Sequence, residues 1–381
     1  MKKVLFTLIS ATICTGVWAQ GANQGLIQST QFPVNTYMIN PAYAGAEDYT
    51  SFQAAFKRNY ISAPVQGPQT MYLSAHTRLQ KDQKPNIKRE SSLDTSDKVS
   101  GNVPMARGRS ADKYKKRIQA RDDSAKIQKM RSEMEYQKKF KEEKERLKYR
   151  PFHGIGGQVI NESAAASTRT GLSATYAFHA YLTKQIRWSI GASLGFSSYS
   201  LNAPTFREAN DPAAENINAN VINPDVNFGT FLLHDKFYAG VATNSLIPQK
   251  QFNSSSANNT TKMMIMATGG YIHRFNDDFS LSPSLWLRYS TATGAPIGLD
   301  FNARAVYKIV WGGVTYRTLG GASGLIGIMA GVNIANAFDI SLAYDYPLAS
   351  YTNVYSGGGM EVILGYRLQR KNFGYQSRLF N

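Results

Sequence analysis

Cysteine is nearly absent from this chain of 381 residues, because its one cysteine, Cys14, lies close to the start. A chain without a second cysteine has no disulfide, so its fold depends on burial or on closure of a sheet. The residue before Cys14 is Ile13, which is not the small residue that a lipoprotein processing site needs. We therefore expect neither a disulfide nor a lipid anchor.

Long apolar runs are also lacking. After residue 19 no stretch reaches the roughly 18 consecutive apolar residues of a membrane helix. Charged residues make up only 18% of the chain, which contains 22 Tyr, 19 Phe and 31 Gly. This composition favours aromatic-rich strands of alternating polarity. Any contact with a membrane would then be made by strands or by the protein surface.

The first nineteen residues have the order of a secretory signal peptide. Lys2 and Lys3 precede an apolar run over residues 4–17, and Ala19 is the small residue expected at a cleavage site. Such a segment is too short for a membrane anchor and is removed during export. We predict cleavage after Ala19 and an exported mature chain.

The formal net charge of +17 is concentrated in one part of the chain. Between Lys81 and Arg150 there are 22 Lys and Arg and 12 Asp and Glu, a net charge of +10. The rest of the chain is only mildly basic. Export makes nucleic acid an improbable partner for the basic run, and anionic headgroups, peptidoglycan or an acidic periplasmic protein fit better.

The basic run divides into two halves. Residues 81–109 mix Ser, Asp, Lys, Gly and Pro without apolar periodicity and are expected to be disordered. Residues 110–149 lack Pro and Gly and are rich in helix formers, which predicts one long charged helix. Ile127, Met130 and Met134 form a short apolar stripe on it. We predict that this insertion tethers the protein to a periplasmic component, and a solvated spacer that touches nothing is the alternative.

From residue 49 onward, stretches of about ten residues alternate apolar and polar side chains, as membrane strands do. Between Ser280 and Ser290, for example, Leu281, Leu285 and Leu287 share one face and serines share the other. A soluble sandwich has the same period. Small or hydrophilic polar faces and aromatic residues near strand ends favour a membrane barrel. Fourteen strands are predicted, at 50–60, 70–79, 152–162, 169–182, 186–200, 225–233, 236–245, 263–275, 279–292, 297–308, 311–319, 324–334, 337–347 and 358–368.

The fold class is therefore all-β, a transmembrane antiparallel β-barrel of about fourteen strands with a charged helical periplasmic insertion. Connections after even-numbered strands are mostly tight, whereas 201–224 and 246–262 are long and polar, and short turns face the periplasm in outer-membrane barrels. The predicted layout is a signal peptide at 1–19, an N-terminal periplasmic segment at 20–48, the barrel at 49–368, the insertion at 80–150 and a tail at 369–381.

No catalytic or metal site is predicted. Gly191-Ala192-Ser193-Leu194-Gly195 matches a serine-hydrolase nucleophile elbow, but that motif needs a strand, a turn and a helix, whereas Ser193 lies on an alternating strand face. No cofactor motif is recognised, and we predict that the protein is not an enzyme. The histidines lack metal-ligand spacing; they are His76, His153, His179, His234 and His273.

Residues 37–45, Tyr-Met-Ile-Asn-Pro-Ala-Tyr-Ala-Gly, follow Gln31-Phe32 and resemble the opening of the PorP/SprF family, outer-membrane proteins of the type IX secretion and gliding machinery. The insertion is not typical of the family, and Met360 stands where the family usually has His. The resemblance continues through most of the mature chain, at 57–60, 67–70, 74–76, 154–157, 237–241, 281–284, 316–317, 343–346 and 360–366.

The resemblance implies an outer-membrane barrel that supports export or surface anchoring of a partner adhesin and, in some members, contacts the periplasmic secretion apparatus. A general diffusion porin or a substrate-specific channel is the alternative, motivated by the polar inward faces. The motif either contacts a partner or only seals the periplasmic mouth. The candidate partner-contact residues are Tyr37, Asn40, Pro41, Tyr43, Gly45, Arg58, Ile127, Met130 and Met134.

Overall fold

The computed structural model describes twelve stretches of the chain, including single residues. By their contacts they fall into two units, Lys81–Arg150 and the remainder, which are described separately. The predicted signal peptide, the first part of the insertion and the tail after residue 369 lie outside the described residues. These are 29–59, 61, 67–79, 109–164, 167–201, 220–250, 260–292, 295, 297–318, 324–335, 337–348 and 358–369.

Among its described residues, the larger unit contains fourteen long strands and three short ones. The short strands are β8 (Gln249–Lys250), β9 (Thr260–Thr261) and β11 (His273–Arg274). The long strands are β1 (Tyr49–Arg58), β2 (Gln69–Arg78), β3 (Phe152–Ala164), β4 (Ser167–Tyr181), β5 (Arg187–Leu201), β6 (Asn220–Leu233), β7 (Phe237–Asn244), β10 (Met264–Tyr271), β12 (Phe279–Ser290), β13 (Gly298–Tyr307), β14 (Val310–Thr318), β15 (Gly324–Ile334), β16 (Phe338–Pro347) and β17 (Gly359–Gln369).

The long strands form one closed antiparallel barrel. Each pairs with the next along the chain, β10 pairs with β12, and β1 pairs with β17 to close the sheet. Closure leaves no strand edge, so every strand can satisfy its backbone hydrogen bonds within the sheet, as a bilayer requires. The prediction of a fourteen-stranded barrel is confirmed.

Side chains alternate between the interior and the outer surface of the barrel. On β2, Tyr72, Ser74 and His76 are buried inside, whereas Met71 and Leu73 are 56% and 55% exposed on the outer face. The period of two follows from strand geometry, in which successive side chains point to opposite faces. An apolar outer face and a polar interior are what a barrel in a lipid bilayer needs.

The two ends of the barrel differ in their connections. At the inner end, defined here by the short turns, β6 and β7 are joined by residues 234–236 and β13 and β14 by residues 308–309. The first residue of β1 and the last residue of β17 also lie at this end. In outer-membrane barrels the end with short turns faces the periplasm. The other end is called the outer end below.

The two long outer connections that the sequence predicts, 201–224 and 246–262, contain strand residues in the structure. The strand β6 begins at Asn220, so residues 220–224 of the predicted loop pair with β5 instead. Their sequence, Asn-Val-Ile-Asn-Pro, does not alternate apolar and polar residues, so a search for alternation misses this part of the strand. Within the second loop, β8 and β9 form a small hairpin. Residues 202–219 and 251–259 lie outside the described part of the chain.

The smaller unit contains a helix of 40 residues, α2 (Arg109–Lys148), close to the predicted bounds. At 1.5 Å per residue it is about 60 Å long. Ion pairs along its surface support it, such as Lys139 to Glu135 at 2.9 Å, and the hydrogen bond from Lys139 lowers the pKa of Glu135. In the described part of the chain, no helix has both the length and the apolarity needed to cross a bilayer.

The structure gives residues 29–48 a different place from the one expected. The sequence predicts a periplasmic segment over 20–48, but the described part of it, residues 29–48, is buried in the barrel interior. It contains α1 (Thr36–Ile39) and a 3₁₀ helix at Pro41–Tyr43. These residues carry mixed polarity without a period of two, which is why they give no strand signal.

Replacing Leu364 by Arg tests which face meets lipid. Leu364 and Leu368 are each 50% exposed on the outer face of β17, but Leu364 pairs with Ala54 in the middle of β1 and Leu368 pairs with Thr50 near the inner end. We expect Leu364→Arg to lower the free energy of unfolding by about 2–4 kcal/mol and Leu368→Arg by about 0–1 kcal/mol. Denaturant unfolding in phospholipid vesicles measures both, and equal losses would contradict this depth assignment.

Candidate functional site

Residues 29–48 form a segment inside the barrel, called the plug segment below. Several of its side chains are almost completely buried, including Phe32 at 1%, Tyr37 at 2% and Ala42 at 0% exposure. Short helices suit such a segment because they satisfy part of its backbone hydrogen bonding locally. Asn35 begins α1, with its Oδ1 accepting a hydrogen bond from the Met38 amide at 3.3 Å.

Asn40 joins the plug segment to the barrel wall. Its Oδ1 accepts from the Ala42 amide at 2.9 Å and so starts the 3₁₀ helix, where Pro41 occupies a position that needs no amide hydrogen. Its Nδ2 donates to the carbonyl oxygens of Thr230 at 3.0 Å and Val241 at 3.3 Å. One asparagine therefore caps a helix and contacts β6 and β7 at the same time.

Tyr43 packs its ring among aromatic side chains of the wall. The ring lies edge-on to Phe231, with centroids 5.3 Å apart, and 6.2 Å from the ring of His76. Its hydroxyl donates to Glu47 Oε1 at 3.0 Å. The tyrosine is thus held at both its apolar and its polar end, as buried tyrosines usually are.

Gly45 is required where the plug segment turns toward β1. Its φ is +69°, and a Cβ atom there would lie 2.6 Å from the Cα of Gly154 and 2.7 Å from the carbonyl oxygen of Thr77. Its amide donates to Nδ1 of His76 at 3.2 Å. Any other residue would be strained in conformation and would collide with the wall.

Small residues on the wall make room for the plug segment. A Cβ atom at Gly154 would lie 1.9 Å from the carbonyl oxygen of Ala44, and one at Gly191 would lie 2.6 Å from that of Pro41. Gly229 faces the Asn40 side chain in the same way. The glycines of the wall and the sequence of the plug segment therefore fit each other.

At the outer end, the start of the plug segment is held by charged side chains. Thr30 donates from Oγ1 to Asp345 Oδ1 at 2.7 Å and from its amide to Glu361 Oε2 at 2.7 Å. Lys57 lies 2.7 Å from Asp345 and 3.8 Å from Glu361, and it also donates to the Thr30 hydroxyl at 2.9 Å. The hydroxyl of Ser29 donates to Glu361.

A second set of charges adjoins the first. Asp300 is fully buried and pairs with both Arg288 and Arg317, the latter at 2.8 Å. Arg317 also donates to the carbonyl oxygen of Ser29 at 2.8 Å. We call the six charged residues the outer ionic cluster; they are Lys57, Arg288, Asp300, Arg317, Asp345 and Glu361. Three cations and three carboxylates balance, which makes their burial tolerable.

At the inner end, an aromatic stack and an ion pair hold the end of the plug segment. Arg78 pairs with Asp48 at 2.6 Å and lies 3.6 Å over the Phe152 ring. His179 stacks on Phe152, with centroids 4.5 Å apart, and donates from Nε2 to the Ala44 carbonyl oxygen at 2.8 Å. The plug segment is thereby fixed near both ends of the lumen.

A cavity of about 110 Å³ lies between the plug segment and the strands near the inner end. Its wall includes Asn35 and Glu47 of the plug segment and Asn333 and Trp311 of the barrel. A second cavity, of about 40 Å³, lies beside Met38 and Ile39. Both are much smaller than a water-filled porin channel would be.

The predicted partner-contact residues fall into three places. Tyr37, Asn40, Pro41, Tyr43 and Gly45 come together in the plug segment, and all five are buried. Arg58 is half-buried at the outer end of β1. The stripe on α2 is exposed, with Ile127 at 53%, Met130 at 58% and Met134 at 61%. Burial of the motif favours its sealing role, and contact of these residues with a partner stays a prediction.

The outer ionic cluster is the part of the site that sequence reasoning missed. Asp300, Asp345 and Glu361 are visible in the sequence as polar members of alternating strands. Their pairing partners are not, because Lys57 and Asp345 lie 288 positions apart. A charge on the predicted inner face of a strand is the signal that could have found them.

Ser193 lies within the continuous strand β5, without the turn and helix of a nucleophile elbow. It is 1% exposed and hydrogen-bonds to Thr175, which in turn accepts from the Tyr37 hydroxyl at 2.8 Å. In the described part of the chain, no three His, Cys, Asp or Glu side chains are grouped as they would be around a metal ion.

Comparison with known proteins gives one family. The model of the family described as type IX secretion system membrane protein PorP/SprF matches residues 21–90 and 114–366. The comparison with curated proteins gives no match. Among solved structures, the CymD monoaromatic hydrocarbon channel is similar at 12% identity and a TM-score of 0.47, covering 92% of this chain and 95% of that one. The outer membrane protein Omp33 of Acinetobacter baumannii is similar at 9% identity and a TM-score of 0.41, covering 85% and 100%.

Replacing Gly154 by Ala tests the fit between the plug segment and the wall. The new Cβ would meet the Ala44 carbonyl oxygen at 1.9 Å, and overpacking of this kind costs about 1–3 kcal/mol. We expect the amides of residues 29–48 to exchange hydrogen faster, as measured by hydrogen–deuterium exchange.

The matched control for this change is Gly157→Ala on the same strand. Its nearest neighbour would be the carbonyl oxygen of Ser173 at 3.7 Å, an ordinary contact, so exchange in the plug segment should stay as in the unchanged protein. Equal protection of the plug segment in both variants would contradict the steric account.

Proposed function

This chain belongs to the PorP/SprF family of type IX secretion system membrane proteins, and we propose that its barrel supports export or surface anchoring of a partner adhesin. It is an outer-membrane β-barrel of the type IX secretion system. The proposed part is that it holds an adhesin, and which of its surfaces does so.

The observation that carries the proposal is the occupied lumen. The plug segment is buried along the interior, from the outer ionic cluster at Thr30 to the ion pair of Asp48 with Arg78. A diffusion porin keeps a water-filled passage through its strands. A barrel filled by its own chain is better suited to present its outer surface to another protein than to pass solutes.

The outer end supplies the proposed docking surface. The hairpin of β8 and β9 packs on the wall there, where Gln249 accepts from the Tyr199 hydroxyl at 3.0 Å and Asn223 donates to the Lys250 carbonyl oxygen at 2.7 Å. These bonds order the base of the connection between β7 and β10. An ordered base supports a role for the outward connections between β5 and β6 and between β7 and β10 in holding an adhesin.

The insertion is the proposed link to the periplasmic side. It leaves the barrel between β2 and β3 at the inner end, where the Leu79 amide donates to the His153 carbonyl oxygen at 2.8 Å. Within the insertion, α2 presents Ile127, Met130 and Met134 to solvent. An exposed apolar stripe on a charged helix suits contact with a periplasmic component of the secretion system or with one bound to peptidoglycan.

Deleting the gene for this protein should strip one large adhesin from the cell surface, because the adhesin would lose its outer-membrane support. Mass spectrometry of surface-labelled protein measures the loss, and reintroducing the full chain should reverse it. A surface proteome that is the same with and without this protein would rule out the anchoring role.

Planar-bilayer recording separates the proposed role from that of a diffusion porin. The full chain should give no stable conductance steps, because the plug segment fills the lumen. Removing residues 20–48 should open steps, whereas removing Lys81–Arg150, which leaves the plug segment in place, should not. Stable channels from the full chain would favour the porin.

A further inference from the structure

The first residues of the plug segment are fixed at the outer end of the barrel by their backbone atoms. The amide of Thr30 donates to Glu361 Oε2 at 2.7 Å, and the carbonyl oxygen of Ser29 accepts from Arg317 at 2.8 Å. Glu361 is the third residue of β17 and Arg317 is the next-to-last residue of β14, so both lie where their strands reach the outer end. The chain that precedes Ser29 is therefore attached at the outer end.

The later contacts of the plug segment follow one direction through the lumen. Near the middle of the barrel, the Tyr37 hydroxyl donates to Thr175, the ninth of the fifteen residues of β4, at 2.8 Å. At the inner end, Asp48 pairs at 2.6 Å with Arg78, the last residue of β2. Tyr49 then begins β1 at that end. The plug segment thus passes from the outer end to the inner end before the first strand starts.

The described part of the lumen has little space for the chain to return to the inner end. The cavities of about 110 and 40 Å³ beside the plug segment can hold water molecules but not a second length of chain. After the predicted cleavage at Ala19, the nine residues 20–28 precede Ser29. A fully extended chain of nine residues spans at most about 30 Å, which is the length of a ten-residue strand such as β1. A return to the inner end would use this whole length.

We propose that the chain enters the lumen from the outer end, so that the N-terminal end of the exported protein lies on the outer surface of the cell. The strand β17 ends at the inner end, so the barrel would release its two chain ends on opposite sides of the membrane. The outer surface would gain a neutral, amide-rich peptide, Gln-Gly-Ala-Asn-Gln-Gly-Leu-Ile-Gln, that other proteins can reach. This topology follows from the direction of the plug segment and does not depend on the adhesin proposal.

Thiol labelling on intact cells tests this topology. Cys14 lies in the predicted signal peptide, so the mature chain has no cysteine and the unchanged protein should not be labelled. The Gln24→Cys variant is treated with a maleimide coupled to a polyethylene glycol chain too large to pass through porins, before and after the outer membrane is permeabilised. We expect equal labelling in both conditions, because the thiol already faces the medium.

Two matched variants calibrate the labelling at the two ends of the barrel. Lys250→Cys, at an exposed position on β8 at the outer end, should be labelled on intact cells. Gln185→Cys, at an exposed position in the short turn between β4 and β5, should be labelled only after permeabilisation. Ala22→Cys repeats the measurement near the N-terminal end, so the test does not depend on one variant reaching the membrane.

Two results would overturn the proposal. Labelling of Gln24→Cys only after permeabilisation, as for Gln185→Cys, would place the N-terminal end in the periplasm. A lack of labelling in both conditions would place it inside the barrel. The adhesin proposal is decided separately by the surface proteome, so either proposal can fail without the other.

Discussion

Buried charge inside this barrel is neutralised by ion pairs between its strands, and the arrangement of the outer half of the interior follows from that constraint. Closing the sheet satisfies the backbone but leaves polar side chains in a confined space. Asp300 is fully buried between Arg288 and Arg317, and Lys57 lies between Asp345 and Glu361. Breaking one such pair typically costs about 3–5 kcal/mol, so the pairs fix the interior.

The plug segment is part of this neutralised interior and not an addition to it. Thr30 donates to both carboxylates that Lys57 approaches, and the carbonyl oxygen of Ser29 accepts from Arg317. At the other end of the lumen, Asp48 pairs with Arg78, and Ala44 and Gly45 pack directly on Gly154. Ion pairs therefore hold the plug segment at both ends, and close packing is added at the inner end.

Because the plug segment occupies the lumen, this barrel is better suited to presenting a surface to another protein than to passing solutes. The family places it in the type IX secretion system, and the two ends of its barrel differ in their connections. The outer end carries longer connections and an ordered hairpin, whereas the inner end carries short turns, the cavity and the connection to a charged helix. These two different ends are what the proposed anchoring role would need.

The barrel could be predicted from the sequence, because strand alternation is a local property with a period of two. Fourteen strands, their inward faces and the contrast between the ends could all be predicted, with β6 five residues short because 220–224 lacks apolar alternation. Residues 37–45 could also be recognised in the sequence as a motif. Their position inside the barrel could not be predicted, since a segment of mixed polarity carries no local sign of what surrounds it. The folded barrel was needed to show that residues 29–48 lie inside the lumen and that Lys57, Asp345 and Glu361 meet there. The reason is that closure of the sheet places β1 beside β17, from the far end of the chain.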